Sequence, residues 1–360
     1  MRVKLKDITK FSKGTQINGK NLIDDGAYSY LNGGINPSGK WNEFNVAENT
    51  VTISEGGNSS GYVNYMNEAF WCGAHCYYLY DGPKNSKYLY YALKSQQERL
   101  FRIRSGACMP NIKKSDLGNF IIEYEKDEVR QEEVVKVLEK CELLIEDYNK
   151  KLALLDEAVR ARFVEMFGDL ESNSMNWEKS LLANKLNVVG GYAFKSSEFN
   201  ECEGIPVLRI GNINSGYFKP VNMVYWKENP RLSKYEVYPG DLVMSLTGTV
   251  GKDDYGNVCI LGNEYEMYYL NQRNAKLEIV NGLNKYYLTQ LLKFSCIKDK
   301  LTGINRGVRQ ANISNKDILD LVVPVPPLEL QNQFASFVQE IDKSRLLSNH
   351  SLFLIKSLIF

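Results

Sequence analysis

Two stretches of this chain carry a seven-residue apolar rhythm, and they dominate its pattern. From Asp127 to Phe167 there is neither proline nor glycine. Leu138, Ile145, Leu152, Val159 and Met166 recur at one seven-residue spacing, and Val134, Cys141, Tyr148 and Leu155 at another. Interleaved, the two series step 4-3-4-3, the pattern of a coiled-coil seam. Gly168 follows the last seam position and reads as a C-terminal stop. The rhythm predicts one helix over 127–169, about 60 Å long at 1.5 Å per residue. A second helix is predicted over 327–360, with Pro327 in its first turn. Its apolar positions are Phe334, Val338, Ile341, Leu352, Ile355 and Ile359, and Arg345 and Ser348 interrupt them. Each seam needs a partner. The two helices can supply each other as an antiparallel pair, because the long segment 170–326 must return between them. Packing of each helix on its own domain is the alternative.

The segments before each helix alternate short β-rich runs with turns rich in Gly, Asn and Ser. They are also related to each other. At an offset of 201 residues, Gly106, Asn111, Ile112, Asp116 and Leu117 fall on Gly307, Asn312, Ile313, Asp317 and Ile318. Phe120-Ile121-Ile122 falls on Leu321-Val322-Val323, and a charged helix follows in both copies. The front halves correspond more loosely, 26–35 with 204–213 and 50–54 with 241–245. A period near 200 residues is far longer than a solenoid repeat. It implies duplication of a whole domain with its helix. The expected fold is therefore α+β: two α/β domains at 1–126 and 170–326, and two long antiparallel helices forming a coiled-coil-like spacer, related by a pseudo-two-fold internal repeat.

Charge sharpens this division. The chain has 360 residues and a net charge of only +1. Residues 127–169 hold seven basic and twelve acidic side chains, whereas 1–126 hold sixteen basic and twelve acidic. An acidic helix thus masks mildly basic domains, which suits nucleic-acid binding. No run approaches the length of a membrane span, and the first residues do not read as a secretory leader. Seven scattered cysteines read as reduced thiols in a cytoplasmic protein.

Asn and Gln match adenine edges in the major groove, Arg and Lys match guanine, and Lys, Arg, Ser, Thr and glycine-loop N–H groups hold phosphates. Side chains of these types cluster in several loops. In the first domain they are Lys13, Gln16, Asn18 and Lys20, then Asn58 and Ser59, then Arg102, Arg104, Asn111, Lys113 and Lys114. In the second they are Lys195, Arg209, Asn212, Asn214, Thr247, Thr249 and Lys252, then the dense run Asn305, Arg306, Arg309, Gln310 and Asn312. Any one of these loops reads equally as a solvated turn, and Asn111 and Asn312 equally as turn or cap residues. The set as a whole carries the DNA-binding expectation.

The chain resembles the specificity subunit of a Type I restriction–modification system. The resemblance rests on the run from Pro239-Gly240-Asp241-Leu242 through Ser245 to Gly248, Gly251 and Lys252. It rests equally on Gln310 to Ile313 with Val322 to Gln331, and on Arg162-Phe163-Val164-Glu165-Met166-Phe167-Gly168-Asp169. It implies two target recognition domains, each reading one half of a bipartite double-stranded DNA site, with the helices as spacer. It implies methyltransferase subunits, two of them, and restriction subunits as partners. S-adenosylmethionine, ATP and Mg²⁺ would belong to those partners, and this chain would be non-catalytic, with no cofactor or metal of its own.

The residues agree on chemistry. Cys72-x-x-His75-Cys76 has no evident fourth metal ligand. There is no Walker-type phosphate loop, no Asn/Asp-Pro-Pro-aromatic methyltransferase motif, and only two histidines for acid–base work. The competing expectations are a repeat-domain scaffold that binds proteins rather than DNA, and a stand-alone methyltransferase or nuclease.

Overall fold

The computed structural model describes residues 1–106, 109–249, 252–303 and 310–359. Contacts group them into two units, Met1–Lys150 with Asn349–Phe360, and Lys151–Ser348.

In the first unit the main sheet has four antiparallel strands in the order Lys10–Lys13, Cys76–Tyr80, Thr50–Ser54, Val63–Met66. Val51, Ile53, Val63 and Tyr77 bury one core against the helix Ser86–Lys94, whose Leu89 and Leu93 face it. Asn85 caps that helix by accepting from the Tyr88 amide. A smaller sheet holds Gly39–Trp41, Tyr28–Leu31 and Phe70–Cys72. The terminal strand Arg2–Lys4 pairs with Ile121–Glu123 at the domain's exit.

The second unit repeats this plan. Its main sheet runs Leu186–Gly190, Asn274–Ile279, Leu242–Ser245, Val258–Ile260. Its smaller sheet is built around Ile205–Leu208, and Lys179–Leu181 pairs with Val322–Pro324 at the exit. The capped helix recurs at Lys285–Lys293, with Asn284 as cap. The register of the sheets fixes the correspondence: Ser54 lies opposite Cys76 and Ser245 opposite Asn274 at the same strand end. Segments 50–54 and 241–245 are therefore equivalent strands. The offset between copies grows along the chain because the second front half has longer connections, including a turn of six residues at Pro230–Tyr235.

The long helices are Glu128–Phe167 and Leu328–Ile359. Gly168, in the left-handed region at φ 76°, ends the first. In the second unit they run antiparallel: Phe163 and Phe167 pack on Phe334, while Asp156 meets Arg345 further along. Val159, Phe163, Phe167 and Phe334 join the core of the second unit, with Val338 and Ile341 packed against it.

Two helix expectations need correction. Val134 is 41% exposed, and its neighbour Val135 is buried instead. The first turns lie on the first unit's core through Gln131, Val135 and Leu138, so the seam position Leu138 is kept and Val135 takes the place expected of Val134. Arg345 and Ser348 do not break the second seam. Ser348 is only 1% exposed, and its hydroxyl donates to the Ser344 carbonyl at 2.8 Å. The seam passes through both polar residues to the buried Leu352 and the half-buried Ile355. Cys141, Ile145, Tyr148, Leu152 and Leu155 are half-buried along the first helix. Among the described residues no helix is long and apolar enough to cross a membrane.

Candidate nucleic-acid interface

In the first unit the meeting point of the candidate loops is the hairpin 55–61, which follows the buried strand end Ser54. Gly57 and Gly61 take φ values of 77° and 82°, which side chains rarely adopt, and so permit the tight reversal. Gly56 bridges to Asn111, and the Asn111 side-chain oxygen accepts from Ser105 Oγ at 2.9 Å. The Asn58 carbonyl accepts from Arg104 Nη1 at 3.3 Å. Arg104 also donates to the Phe101 carbonyl and lies 4.1 Å over the Phe101 ring. These contacts bring Asn58, Arg104 and Asn111 to one hairpin, and Lys113 and Lys114 follow Asn111 in sequence. Asn58, Arg102, Asn111, Lys113 and Lys114 are exposed.

Other candidates are already engaged. Lys13 Nζ pairs with Glu55 Oε1 at 2.5 Å, and His75 Nδ1 lies 3.3 Å from Glu55 Oε2. Ser59 Oγ donates to the Gly33 carbonyl at 2.6 Å. Asn18 is a cap, its side chain accepting from the Lys20 amide at 3.1 Å. Gln16 is exposed and donates to the neighbouring Ile17 carbonyl, and Lys20 is exposed. Cys72 and Cys76 are buried in an apolar cluster with Leu31, Val46 and Phe70. Their mutual hydrogen bond and burial push the Cys72 thiol pKa upward, whereas His75 is exposed.

In the second unit the corresponding hairpin is the strand Thr247–Thr249, which pairs with Gln310–Asn312. Thr249 and Lys252 are exposed, as is Asn312. The Thr249 amide donates to Asp254 Oδ1 at 2.8 Å. Asn212 is a correction. It is 3% exposed, and its amide donates to the Lys219 and Val221 carbonyls while accepting from the Arg209 amide. A side chain so fully used holds a turn and offers nothing to a base. Arg209 folds back too, Nη2 donating to the Asn222 carbonyl at 2.5 Å. Lys195 is exposed beside Glu198 at 3.4 Å, apart from the hairpin in sequence. Asn305, Arg306 and Arg309 lie outside the described residues, as does the side chain of Gln310.

Sequence reasoning missed Asn257 and Lys298. Asn257 Oδ1 accepts from Lys298 Nζ at 2.6 Å, and its Nδ2 donates to the Asn214 carbonyl at 2.5 Å. The only signal for Asn257 in the chain is its place directly after Gly256, in a turn of Tyr, Gly and Asn.

The arrangement is a duplicated scaffold with a polar, partly basic hairpin at the same place in each copy. The family model for the Type I restriction modification DNA specificity domain matches residues 1–156 and again 175–355. The chain belongs to that family. A candidate type I specificity subunit of Mycoplasma pneumoniae is 37% identical over 149 residues, 41% of this chain and 40% of the relative. One of Mycoplasma genitalium is 31% identical over 227 residues, 58% of each. The specificity subunit of a type I restriction enzyme of Methanocaldococcus jannaschii is 27% identical over 71% of this chain and 63% of its own length. The matches thus span about two-fifths to three-fifths of these relatives. The crystal structure of a Type I restriction–modification S subunit from M. genitalium shares the fold. Its TM-score is 0.61 at 22% identity, over 100% of this chain and 93% of that one. Two matches of one family model within one chain agree with the strand-by-strand repetition of the sheets.

Proposed function

We propose that this chain is the DNA-reading subunit of a Type I restriction–modification complex, itself without a catalytic role. Residues 1–126 would read one half of a bipartite site and 170–326 the other, with the helices at 127–169 and 327–360 setting the interval. The observation that carries this reading is the repeated hairpin. Gly56 against Asn111 in one unit, and Thr247 against Asn312 in the other, hold an asparagine at an equivalent place; exposed Lys113 and Lys114 follow the first in sequence, and exposed Lys252 follows the strand that pairs with the second. Asparagine can pair bidentately with adenine, and lysine can meet guanine or a phosphate.

The partners follow from the family and from the helices. Val137, Leu144 and Leu154 on the first helix and Leu346, Leu347 and Phe353 on the second are large apolar side chains left exposed. Exposed apolar positions on otherwise charged helices support docking of protein subunits. Two methyltransferase subunits and the restriction subunits are the proposed occupants, in the cytoplasm with the DNA. They would bring S-adenosylmethionine, ATP and Mg²⁺.

Binding of the assembled complex to its target duplex tests the reading. Raising salt from 50 to 200 mM should weaken binding by about a thousandfold, because phosphate contacts release counterions. Replacing Lys113 and Lys114 together with Gln should reduce the salt slope by about two. DNA affinity that ignores salt, or is absent, would leave a protein-binding scaffold as the better account.

A further inference from the structure

In both units the same two segments are tied together, yet unrelated side chains do the tying. One segment is the turn after the central strand of the smaller sheet, residues 32–34 in the first unit and 209–216 in the second. The other is the hairpin after the strand that ends at Ser54 or Ser245. In the first unit Ser54 Oγ and Ser59 Oγ both donate to the Gly33 carbonyl. In the second unit Asn257 does this work. Its Nδ2 donates to the Asn214 carbonyl at 2.5 Å and to the Asp253 carbonyl at 3.2 Å. Its Oδ1 accepts from Lys298 Nζ at 2.6 Å, and Lys298 also pairs with Asp253. Its backbone N–H donates to Ser245 Oγ at 3.1 Å, and Ser245 is fully buried. Both amide hydrogens and the amide oxygen are therefore engaged.

The backbone shows that this strap was rebuilt between the copies. The amide of Ser54 donates to the Tyr62 carbonyl, and that of Ser245 to the Asn257 carbonyl, each at 2.9 Å. Gly61 and Gly256 precede these residues and both take positive φ. Tyr62 and Asn257 thus share a position. The Tyr62 ring instead lies 3.7 Å beneath Lys94 Nζ. Sheet packing alone does not ask for a strap, because the hairpin and the turn leave different sheets. Two reading segments that must meet one stretch of duplex together do ask for it, since a base contact fails when its loop shifts by a fraction of an ångström.

We propose that Asn257 is a specificity-positioning residue: it fixes the turn at 209–216 against the hairpin carrying Thr249 and Lys252, and so sets how the second unit meets its half-site. The proposal rests on the DNA-reading function above. Its counterpart in the first unit is Ser59 acting through the Gly33 carbonyl.

The test uses the complete complex with its methyltransferase subunits, methylating a duplex library randomised in both halves of the site. Asn257→Asp keeps the Lys298 contact and removes both donors, and Asn257→Ser shortens the side chain. Each should relax base preference in one half-site by about tenfold at the affected positions. The other half-site, the salt slope of non-specific binding and the thermal midpoint should stay as in the wild type. Ser59→Ala should relax the opposite half only. Unchanged preference in all three variants overturns the proposal, and so does equal relaxation of both halves with a lowered midpoint. A wild-type complex that shows no preference at all removes the DNA-reading function, and the positioning role with it.

Discussion

Tyr77 shows how a single side chain ties a candidate DNA-contacting loop to the core. It is 1% exposed, and its hydroxyl donates to the Ile112 carbonyl at 3.1 Å, directly after Asn111. Burial, helped by Glu55 nearby, pushes its pKa up to about 12. An unfolded tyrosine ionises near pH 10. The native state therefore holds its proton where the unfolded state loses it, so stability is complete below about pH 10 and falls as pH rises towards 12. Denaturant midpoints measured from pH 9 to 12 should fall, and Tyr77→Phe should flatten that fall. An equal slope in the variant would contradict the assignment. Gln331 is a second such residue. It is fully buried, donating to the Pro326 and Gly282 carbonyls and accepting from the Asn284 amide. Gln331→Ala should cost roughly 2–4 kcal/mol in urea unfolding, since it strands several backbone groups. At this scale the sequence was hardest to read. Asn212 and Asn58 are the same residue type in similar-looking turns, yet one is consumed by backbone hydrogen bonds and the other is exposed. Only the fold decides where a carbonyl waits for an amide.

Among the elements, the long helices were the most legible, because heptad spacing is a local property of the chain. Their ends followed from Gly168 and Pro327. What periodicity could not show was the point at which a helix leaves its partner for a domain core. Val135 rather than Val134 is buried at one end, and Phe163 and Phe167 enter the core of the second unit at the other. Phe163 is fully buried, with Phe167, Tyr287, Phe294 and Phe334 all within 5.3 Å between ring centroids. Phe163→Ala should therefore destabilise the second unit by about 3–5 kcal/mol. Arg345 offers the contrast. It pairs with the exposed Asp156 at 2.6 Å and with Asp342 at 2.5 Å. Burial raises the pKa of Asp342, against the pull of Arg345. Replacing Arg345 and Asp342 together with leucine should change stability by no more than about 1 kcal/mol, because apolar contacts along the seam offset the lost ion pair, whereas Arg345→Leu alone would leave the half-buried Asp342 without its partner. Calorimetry of the two variants side by side checks both values. A larger loss in the double leucine variant would mean that the ion pair contributes more than its desolvation costs.

For the molecule as a whole, the duplication was visible in the sequence where the two copies kept their spacing, from Gly106 and Gly307 to the helices. It faded towards the front, because unequal connections shift the offset and only backbone pairing restores the correspondence. Ser54 and Ser245 are matched by register and by residue type, but Tyr62 and Asn257 by backbone pairing alone. That divergence within a kept frame is what two readers of different half-sites require: the sheets stay and the loops change. The claim that each unit reads independently is tested most directly by sequencing the methylated bases of a host that carries the system. The wild type should give a bipartite motif with methyladenine in each half. Exchanging residues 1–126 for those of a relative should alter one half of the motif and leave the other as it was. A single continuous motif, or a change in both halves after the exchange, would contradict the account.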